Sequence, residues 1–225
     1  MTKISVIIPL APKEIAWQLM LTDLGILPKE VEIIFVTSDP ILPFHKNILP
    51  NRIVKWAQCD AGRAGNMNQG AKVADGEYLW FLHDDSKFKH NTISALFTAI
   101  EKHPNSLLFF DLAFFGGISS LMSLNAWGTR FRSNILNIPF GDQGFCLKKE
   151  IFNNLGGFLE NIEYGEDHML IWKAKKNGVP VQSVGAKLLT SARKYRKYGW
   201  LRTTLLHQYL WLKQAIPELI RWKKK

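Results

Sequence analysis

An acidic pair follows a short apolar run in the middle of the chain. Residues 78–82 are apolar and predict a strand, and His83-Asp84-Asp85-Ser86 comes directly after it. In an open α/β sheet, ligands bind beyond the carboxyl ends of the strands. Two adjacent carboxylates repel each other unless a cation joins them, and oxygen ligands suit Mg²⁺ or Mn²⁺. Taken alone, the pair favours a turn or a helix start, with a divalent-metal site as the functional alternative.

A second acidic pair, Glu166-Asp167, follows Gly165 and stands just before a predicted helix. A carboxylate at this position can cap the helix by accepting hydrogen bonds from its first amide groups. It can also serve as a general base that takes the proton of an attacking hydroxyl. Taken by itself, this position favours the helix cap, with the general base as the functional alternative.

Two glycine-containing segments could approach a ligand closely. Residues 62–71 open a helix with small residues and Arg63, and a helix N-terminus beside a guanidinium is suited to an anion. This segment lacks the Lys-Ser/Thr ending of a P-loop. Residues 141–144, Gly-Asp-Gln-Gly, allow a tight backbone approach, with a plain loop as the alternative.

The composition is that of a globular protein. The chain has 225 residues, of which 47% are hydrophobic and 21% charged, which excludes a disordered or collagen-like chain. Its two cysteines, Cys59 and Cys146, show neither metal-ligand spacing nor a disulfide framework and favour a reduced, cytoplasmic setting. No apolar run approaches the roughly 20 residues of a membrane span. The apolar stretch 4–10 predicts a first strand rather than a signal peptide.

The net charge of +10 lies entirely in the last part of the chain. Residues 1–186 carry 18 basic and 18 acidic side chains, whereas residues 187–225 carry 11 basic ones and a single acid, Glu218. Apolar residues recur there at helical spacing, at Leu201, Leu205, Tyr209, Leu212 and Ile216. We expect an amphipathic helix that Pro217 ends or restarts, because proline lacks an N–H and clashes with the preceding turn.

Three partners suit this basic, amphipathic segment. It could dock its apolar face on its own domain, lie on an anionic membrane surface, or bind nucleic acid. The rest of the chain shows no basic stripe and no nucleic-acid motif, so we expect no nucleic-acid partner. The first two readings place the protein in the cytoplasm, free or peripheral at the inner face of the cell membrane.

Predicted strands and helices alternate along the first half of the chain. The apolar patterns predict strands at 4–9, 31–36, 52–58, 78–82, 107–115, 145–148 and 179–184. They predict helices at 15–24, 65–73, 91–102, 149–155 and 168–176, with a mixed region at 116–139. Such alternation indicates βαβ units and a mostly parallel sheet. We divide the chain into an α/β domain, residues 1–186, and a basic helical segment, residues 187–225.

The order of these motifs resembles that of the inverting glycosyltransferases of family 2, which have the GT-A fold. The resemblance is closest to the short bacterial subgroup of radical-SAM/selenodomain-associated transferases, and it covers nearly the whole chain. It rests on Gly62-Arg63-Ala64, Met67-Asn68-Gln69-Gly70-Ala71, Phe81-Leu82-His83-Asp84-Asp85, Gly141-Asp142-Gln143, Leu155-Gly156-Gly157-Phe158, Glu166-Asp167, Thr190-Ser191-Ala192-Arg193 and Gly199-Trp200-Leu201-Arg202-Thr203-Thr204. It implies a Rossmann-like, mixed and mostly parallel sheet flanked by helices.

The resemblance also implies roles for individual residues. Asp85 would hold a divalent cation, Mn²⁺ or Mg²⁺, with Asp84 beside it near the metal or the ribose. Asp167 would be the catalytic base and Glu166 its neighbour in the acceptor pocket. The remaining assignments are donor-nucleotide contacts at Pro9, Asp39, Arg63, Asn68 and Asp84, and acceptor or sugar contacts at Gly141, Asp142 and Gln143.

The implied reaction moves a sugar from a nucleotide donor, a UDP-sugar or alternatively a GDP-sugar, to a hydroxyl acceptor that could be lipid-linked. The chain departs from the family pattern at two strand ends. Residues 9–14 keep the usual Glu but lack the Asn before it, and Thr37-Ser38-Asp39-Pro40 displaces the usual acidic residue. The altered turn at 37–40 favours, as the alternative, a non-catalytic nucleotide-sugar-binding or scaffold module. A nucleotidyltransferase would need a glycine-rich basic loop after the first strand, which residues 10–14 do not supply.

Overall fold

The computed structural model describes residues 3–41, 48–116, 119–162 and 164–223. Its seven strands are β1 (Ile4–Pro9), β2 (Glu32–Thr37), β3 (Ile53–Gln58), β4 (Tyr78–Phe81), β5 (Leu107–Phe115), β6 (Cys146–Lys148) and β7 (Val181–Ser191). Its helices are α1 (Leu21–Leu24), α2 (Gly62–Val73), α3 (His90–Lys102), α4 (Ser119–Ile135), α5 (Lys149–Asn154), α6 (Glu166–Lys176), α7 (Arg193–Tyr198) and α8 (Trp200–Lys223). Two 3₁₀ turns, Ala16–Met20 and Gly141–Gln143, complete the described elements.

All seven strands form one sheet in the order β3-β2-β1-β4-β6-β5-β7. β1 pairs in parallel with β2 and β4, β2 with β3, and β5 with β7, while β6 runs antiparallel to β4 and β5. The predicted mixed, mostly parallel sheet is confirmed. The chain continues from β1 to one side through β2 and later returns to the other side through β4. Ligands bind at such a reversal of strand order, beyond the carboxyl ends of the strands.

Helices cover both faces of the sheet, which explains why its central strands are apolar almost without interruption. One core cluster packs Ile4, Val6 and Ile8 of β1 against α1 and α3. The other packs Ile7 of the same strand against α2, α5 and α6. Gly70 lets α2 approach the sheet closely, because a Cβ there would lie 2.5 Å from the side chain of Ile7.

Several predicted boundaries differ from the structure. The predicted helix 15–24 is a 3₁₀ turn followed by the single turn of α1, and α6 begins at Glu166 rather than at residue 168. β7 extends to Ser191 because the long strand β5 offers it partners as far as Phe115. The strand therefore passes through residue 187, at which the charge pattern placed the start of the basic segment.

The prediction that Pro217 ends or restarts the last helix is wrong. α8 continues from Trp200 to Lys223 with Pro217 inside it. Pro217 lies on an exposed side of the helix, where water can serve the carbonyl group that loses its amide partner. None of the helices described is both long and apolar enough to cross a bilayer.

The apolar face of α8 does not dock on the domain, contrary to the first of the three readings of this segment. Leu201, Leu205, Tyr209, Leu212 and Ile216 are all exposed. The opposite face, which includes Thr203, Ala215 and Glu218, is buried. The physical reason is that this opposite face carries the side chains whose hydrogen bonds and ion pair attach the helix to the domain.

Candidate functional site

Two cavities meet at the carboxyl end of the sheet. We call the first, of about 360 Å³, the strand-end cavity, because residues that follow β1, β2, β3 and β4 line it. The second, of about 440 Å³, lies beneath α8 and is called the α8 cavity. Five residues line both cavities and mark their junction: Arg63, His83, Asp85, Arg193 and Lys194. A ligand with an anionic group at its centre could thus extend from one cavity into the other, with that group at the junction.

The acidic pair after β4 lies at this junction. Burial raises the pKa of Asp84 to about 6, and the nearby carboxylates of Asp85 and Glu14 add to the effect. Burial also raises the pKa of Asp85, against the opposing influence of Arg193 and Lys194. Asp84 lines the strand-end cavity alone, whereas Asp85 lines both cavities. A bound cation would stabilise the charged form of both carboxylates.

The pair fits a cation that takes most of its ligands from a bound phosphate. Among the described ranges, no cluster of three or more His, Cys, Asp or Glu side chains is arranged to hold a metal ion. Mg²⁺ is commonly bound by only one or two protein carboxylates together with phosphate oxygens and water. Asp84 and Asp85, which have raised pKa values and line the strand-end cavity, match that mode of binding.

The second acidic pair occupies the first turn of α6, where a sharp turn at Gly165 positions it. Gly165 has a φ of +81°, and a Cβ there would lie 2.1 Å from the amide of Gln214 on α8. Only glycine allows this backbone conformation together with so close an approach. Glu166 accepts a hydrogen bond from Arg63 Nε at 2.6 Å, and Asp167 Oδ2 lies 3.6 Å from Arg63 Nη2.

Asp167 lines the α8 cavity as a carboxylate. Burial raises the pKa of Asp167, but Arg63 and the backbone N–H groups of Gly141 and His168 lower it. Their combined effect is the larger one, so the pKa lies below its ordinary value. The N–H of Gly141 donates to Oδ2, and that of His168 donates to Oδ1 at 2.9 Å. An ionised, oriented carboxylate that lines a cavity can accept a proton from a bound hydroxyl.

A third carboxyl group, that of Asp142, enters the same cavity from the Gly141–Gln143 turn. Burial raises its pKa to about 6, while Arg132 opposes the shift. The guanidinium of Arg132 lies 3.6 Å from the centre of the Phe140 ring, and its Nε donates to the carbonyl of Ile138 at 3.0 Å. Asp142 Oδ1 has no hydrogen-bond partner within the described part of the chain. That oxygen is available to a hydroxyl of a ligand.

The structure gathers most of the predicted site residues around the two cavities. Pro9, Arg63, Asp84 and Asp85 line the strand-end cavity. Arg63, Asp85, Asp142, Glu166 and Asp167 line the α8 cavity. Gly141 contacts Asp167 through its backbone, and a Cβ at this position would lie 2.7 Å from the Asp167 carboxylate.

Asn68 and Gln143 line neither cavity and direct their side-chain hydrogen bonds to the fold, so their assigned roles at the site stay predictions. Asn68 holds α2 to a loop, since its amide donates to the carbonyl of Phe158 at 2.9 Å and accepts from the N–H of Phe158 at 2.9 Å. Gln143 is fully buried and hydrogen-bonded to Ser133, Phe140 and Phe110. Amide side chains satisfied in this way have little capacity left for a ligand.

Asp39 lies beside the strand-end cavity and not in its wall. Its carboxylate accepts the backbone N–H of Lys13 at 2.7 Å and so joins the end of β2 to the loop that follows β1. The adjacent Ser38 lines the cavity in its place. Asp39, the acidic residue whose position differs from the family pattern, is thus hydrogen-bonded within the fold.

Sequence reasoning missed the contributions of the last quarter of the chain. Arg193 and Lys194 at the start of α7 stand at the junction, and Arg193 Nη2 lies 3.2 Å from Glu14. The inner face of α8 adds His207, Leu210, Trp211 and Gln214 to the α8 cavity. Their spacing of three and four residues is a helical signal, but the apolar stripe on the other face of the helix is the stronger one.

Trp211 is notable within this inner face. Its indole Nε1 is buried and has no hydrogen-bond partner among the described residues. A buried donor without a partner is costly, and a ligand that accepts its hydrogen bond would remove that cost. The α8 cavity therefore offers an unused acceptor at Asp142 and an unused donor at Trp211.

Comparison with known families gives one match. The model of the family described as Glycosyl transferase family 2 matches residues 27–158 of the chain. The matched range includes Arg63, Asp84, Asp85 and Asp142 and ends before Glu166 and Asp167. A comparison with curated proteins gave no match.

Solved structures of S. aureus TarS resemble the chain in fold. One is 20% identical with a TM-score of 0.64, covering 90% of this chain and 39% of TarS. TarS 1–349 is 18% identical with a TM-score of 0.65, and the match covers 90% of this chain and 64% of that one. The same fragment in complex with UDP-GlcNAc is 20% identical with a TM-score of 0.62, at coverages of 84% and 58%. The chain thus spans less than two thirds of each of these structures, and at such identity the likeness shows the fold alone.

Proposed function

Because the chain belongs to glycosyl transferase family 2, we propose that it transfers a sugar from a nucleotide donor to a hydroxyl acceptor, with a divalent cation and with inversion. The observation that carries the proposal is the meeting of the two cavities at Asp85, with Asp167 on the far side of the junction. The strand-end cavity takes the nucleotide, the junction takes the diphosphate, and the α8 cavity takes the acceptor.

The donor side supplies charge for the diphosphate. Asp84 and Asp85 would hold the cation, which when bound neutralises the negative charge that develops on the departing nucleoside diphosphate. Arg193 and Lys194 add fixed positive charge at the junction of the cavities. A diphosphate placed there leaves the sugar pointing into the α8 cavity.

The acceptor side supplies the base. An acceptor hydroxyl in the α8 cavity gives its proton to Asp167 while its oxygen bonds to the anomeric carbon and the bond from that carbon to the diphosphate breaks. Attack from the side opposite the diphosphate inverts the anomeric centre. Arg63 keeps Asp167 ionised before the reaction and, through its contact with Glu166, holds the first turn of α6 in place. Asp142 and Trp211 orient the acceptor through their unused hydrogen-bonding atoms.

A uridine nucleotide is the first candidate for the donor. TarS, whose fold is similar, has been solved in complex with UDP-GlcNAc and with UDP. A GDP-sugar is the alternative within the same proposal. The radical-SAM-associated subgroup is tested by none of these comparisons and stays a prediction, as does the acceptor, which we expect to be a lipid-linked or free hydroxyl compound.

Residues 187–225 act together with the α/β domain in this proposal. They supply the end of β7, the cations of α7 and one wall of the α8 cavity. Removal of the segment should therefore abolish transfer rather than only change where the protein is found.

A non-catalytic nucleotide-sugar-binding module on the same fold is the second candidate. It is favoured by the altered end of β2, where Asp39 binds the backbone of Lys13. This reading predicts donor binding without turnover and no effect of Asp167→Asn on any measured property of the bound state.

Thermal unfolding with a panel of nucleotides tests the proposal. The panel contains UDP, GDP and their sugars, each with Mn²⁺, with Mg²⁺ and with chelator. A ligand that binds only the folded state raises the unfolding temperature by mass action. We expect one nucleotide to stabilise the protein only with metal present, and we expect Asp85→Ala to lose that effect.

Asp75→Ala is the matched control for this experiment. Asp75 is an exposed acidic residue that precedes β4, at the opposite end of the sheet from the site, and it pairs with Lys55 at 2.7 Å. Its substitution should leave the response to nucleotides unchanged. A flat response of the unaltered protein to the whole panel, or an unchanged response in Asp85→Ala, would overturn the proposed donor site.

A further inference from the structure

α8 carries a continuous apolar face that points away from the domain. The residues of this face are between 44% and 61% exposed. They follow one another at intervals of three or four residues and comprise Leu201, Leu205, Tyr209, Leu212, Ile216 and Ile220. A helix of a globular protein normally turns such a face toward the core. Here it is presented to the surroundings along nearly the whole helix.

Polar contacts fix the helix in this orientation. Asn125 of α4 donates to Thr204 at 3.2 Å, and Gln214 donates to the carbonyl of Tyr164 at 2.7 Å. The buried Glu218 forms an ion pair with Lys176 of α6. Rotation of α8 to bury its apolar face would break these contacts and leave Glu218 without its charged partner. The exposed face is therefore a stable property of the fold.

α4 continues the apolar surface beside the first half of α8. Leu124, Trp127, Phe131 and Ile135 lie three or four residues apart and are 53–68% exposed. The rings of Trp127 and Phe131 stack with their centres 6.2 Å apart. A recess of about 240 Å³ between the two helices is lined by Leu124 and Trp127 on one side and by Thr204 on the other. We call the combined exposed faces of α4 and α8 the apolar surface.

The exposed charges on the helices that carry and adjoin the apolar surface have a single sign. In the described part of the chain, the charged side chains exposed on α4, α7 and α8 are all basic: Arg130, which pairs with the partly buried Asp111 at 3.3 Å, and, among the others, Arg196, Lys197, Arg202 and Lys213. The one acidic residue of these helices, Glu218, is buried. A second copy of this chain would bring the same positive charges to the interface. The partner that complements the apolar surface and its basic side chains therefore has negative charge at its surface and an apolar interior.

We propose that the apolar surface lies on an anionic lipid membrane, with α8 parallel to the bilayer plane. The leucine and isoleucine side chains enter the boundary between headgroups and acyl chains, and the flanking arginines and lysines contact lipid phosphates. Trp127 and Tyr209 suit the same depth, because their rings combine an apolar body with a polar group. This inference rests on the surface alone and is independent of the proposed chemistry.

Co-sedimentation of the full chain with vesicles tests the inference. The vesicles consist of phosphatidylcholine alone or of phosphatidylcholine with 30% phosphatidylglycerol, at low and at high salt. We expect binding to the anionic vesicles, weaker binding to the neutral ones, and a loss of affinity at high salt. Substitution of Arg202 and Lys213 by Gln should weaken binding to anionic vesicles by about fivefold per residue.

Two matched substitutions separate this surface from general hydrophobicity. Leu205→Glu places a charge in the centre of the apolar surface, and Leu19→Glu makes the same change at a leucine on the Ala16–Met20 turn. The two leucines are 59% and 69% exposed, so neither change should disturb the fold, which thermal unfolding verifies. We expect Leu205→Glu to weaken vesicle binding at least tenfold. The substitution removes a leucine side chain that would enter the bilayer and adds a negative charge near the anionic lipids. Leu19→Glu should leave it within twofold.

Three results would overturn the inference. The first is equal vesicle binding by the two glutamate variants, and the second is no binding to either kind of vesicle. The third is a dimer in sedimentation velocity that Leu205→Glu dissociates, because it would assign the surface to a second copy of the chain. Donor binding, followed by thermal unfolding, is scored separately, so failure of the membrane inference leaves the proposed function untouched.

Discussion

The strand-end cavity and the α8 cavity share Asp85 but are built in opposite ways. The strand-end cavity is lined mainly by short segments that directly follow successive strands, from Pro9 to Asp85. The α8 cavity takes its walls from residues as far apart as Arg63 and Gln214, on α2, α6, β7 and α8. The first can be read from local motifs, whereas the second exists only because distant segments pack together.

The same difference extends to the chemistry of the two cavities. At the strand-end cavity, the groups we assign to the donor are carboxylates whose pKa values are raised and which a cation would satisfy. At the α8 cavity, the group we assign to catalysis is a carboxylate whose pKa is lowered by Arg63 and by backbone N–H groups. One side is suited to a bound cation, and the other keeps its carboxylate ionised. Substitutions that affect one side and spare the other therefore test the comparison.

The largest effect is expected from Asp167→Asn. The amide cannot take the proton of the acceptor hydroxyl, so the rate of transfer should fall by about 10³-fold, within the range found for general bases. Release of nucleoside diphosphate in the presence of acceptor measures the rate. The affinity for the donor, measured by calorimetry, should change by less than twofold because Asp167 lies on the acceptor side.

Asp75→Asn is the control for this substitution and should retain the full rate. If the Asp167→Asn variant keeps its transfer rate, Asp167 is not the catalytic base. A variant that loses donor binding as well would show that the two sides are not separable in the way the cavities indicate.

The second prediction concerns the stability of the protein at low pH and depends on His168, which lines the α8 cavity. Burial lowers the pKa of His168 to about 4 from its ordinary 6.5. The unfolded chain therefore takes up a proton near pH 6.5, whereas the folded protein does so only near pH 4. The free energy of unfolding should fall as the pH decreases from 6.5 to 4, with His168 accounting for up to about 3 kcal/mol.

Urea unfolding at several pH values measures this contribution in the unaltered protein and in His168→Gln. Other groups also titrate in this range, so the informative quantity is the difference between the two proteins. The variant should show a smaller loss of stability between pH 6.5 and pH 4. Parallel curves for the two proteins would contradict a neutral, buried His168.

The third prediction separates the fold from the donor site at Asn68. If Asn68 holds α2 to the loop at Phe158, then Asn68→Ala should lower the free energy of unfolding by about 2 kcal/mol through its lost hydrogen bonds. Donor affinity, measured at a temperature at which the variant remains folded, should be unchanged.

Gln69→Ala, one position along the same helix, controls for the general effect of an alanine in α2. A large loss of donor affinity in Asn68→Ala with unchanged stability would restore the donor role that the motif implied. It would also show that the strand-end cavity extends further along α2 than its walls indicate.

The smallest effect is expected from Trp211→Phe. This substitution keeps the aromatic ring in the wall of the α8 cavity and removes the buried indole N–H that lacks a partner. If an acceptor hydroxyl uses that donor, the KM for the acceptor should rise by about fivefold, the equivalent of one neutral hydrogen bond. The KM for the nucleotide sugar should stay the same.

Tyr209→Phe serves as the control, because it also removes a polar group from an aromatic side chain of α8 but on the exposed face. It should change neither constant when the acceptor is water-soluble. A rise in the KM for the donor in Trp211→Phe would place the nucleotide sugar, and not the acceptor, beneath α8.

The parts of the fold that were predictable are those in which local pattern and tertiary role agree. The apolar runs of β1, β2 and β4 are buried on both faces, and no other placement of so many branched side chains would be stable. Asp85 was predictable for a related reason, since a polar group that follows a buried central strand must emerge at the edge of the sheet. Burial thus makes the sequence signal unambiguous.

The assignments that stay open are those in which a side chain has two plausible uses. Asn68 and Gln143 belong to motifs typical of the family, yet in this fold their amides hold a loop and a turn. The side-chain types are the same in both roles, and only the neighbours distinguish them. α8 shows the same ambiguity on a larger scale. Its amphipathic pattern predicts an apolar stripe but does not predict which face of the helix packs against the domain.

The sequence by itself determined the mixed α/β sheet, the acidic pair at the end of β4 and the concentration of positive charge in residues 187–225. These depend on the order and the spacing of residue types, which the fold cannot alter. Tertiary structure alone decided that Arg63 would hold Glu166 and Asp167, and that α8 would turn its polar face to the cavity and its apolar face outward. Those outcomes depend on contacts between residues far apart in the sequence, 103 positions for Arg63 with Glu166 and 42 to 79 positions for the contacts that orient α8, which no local pattern can specify.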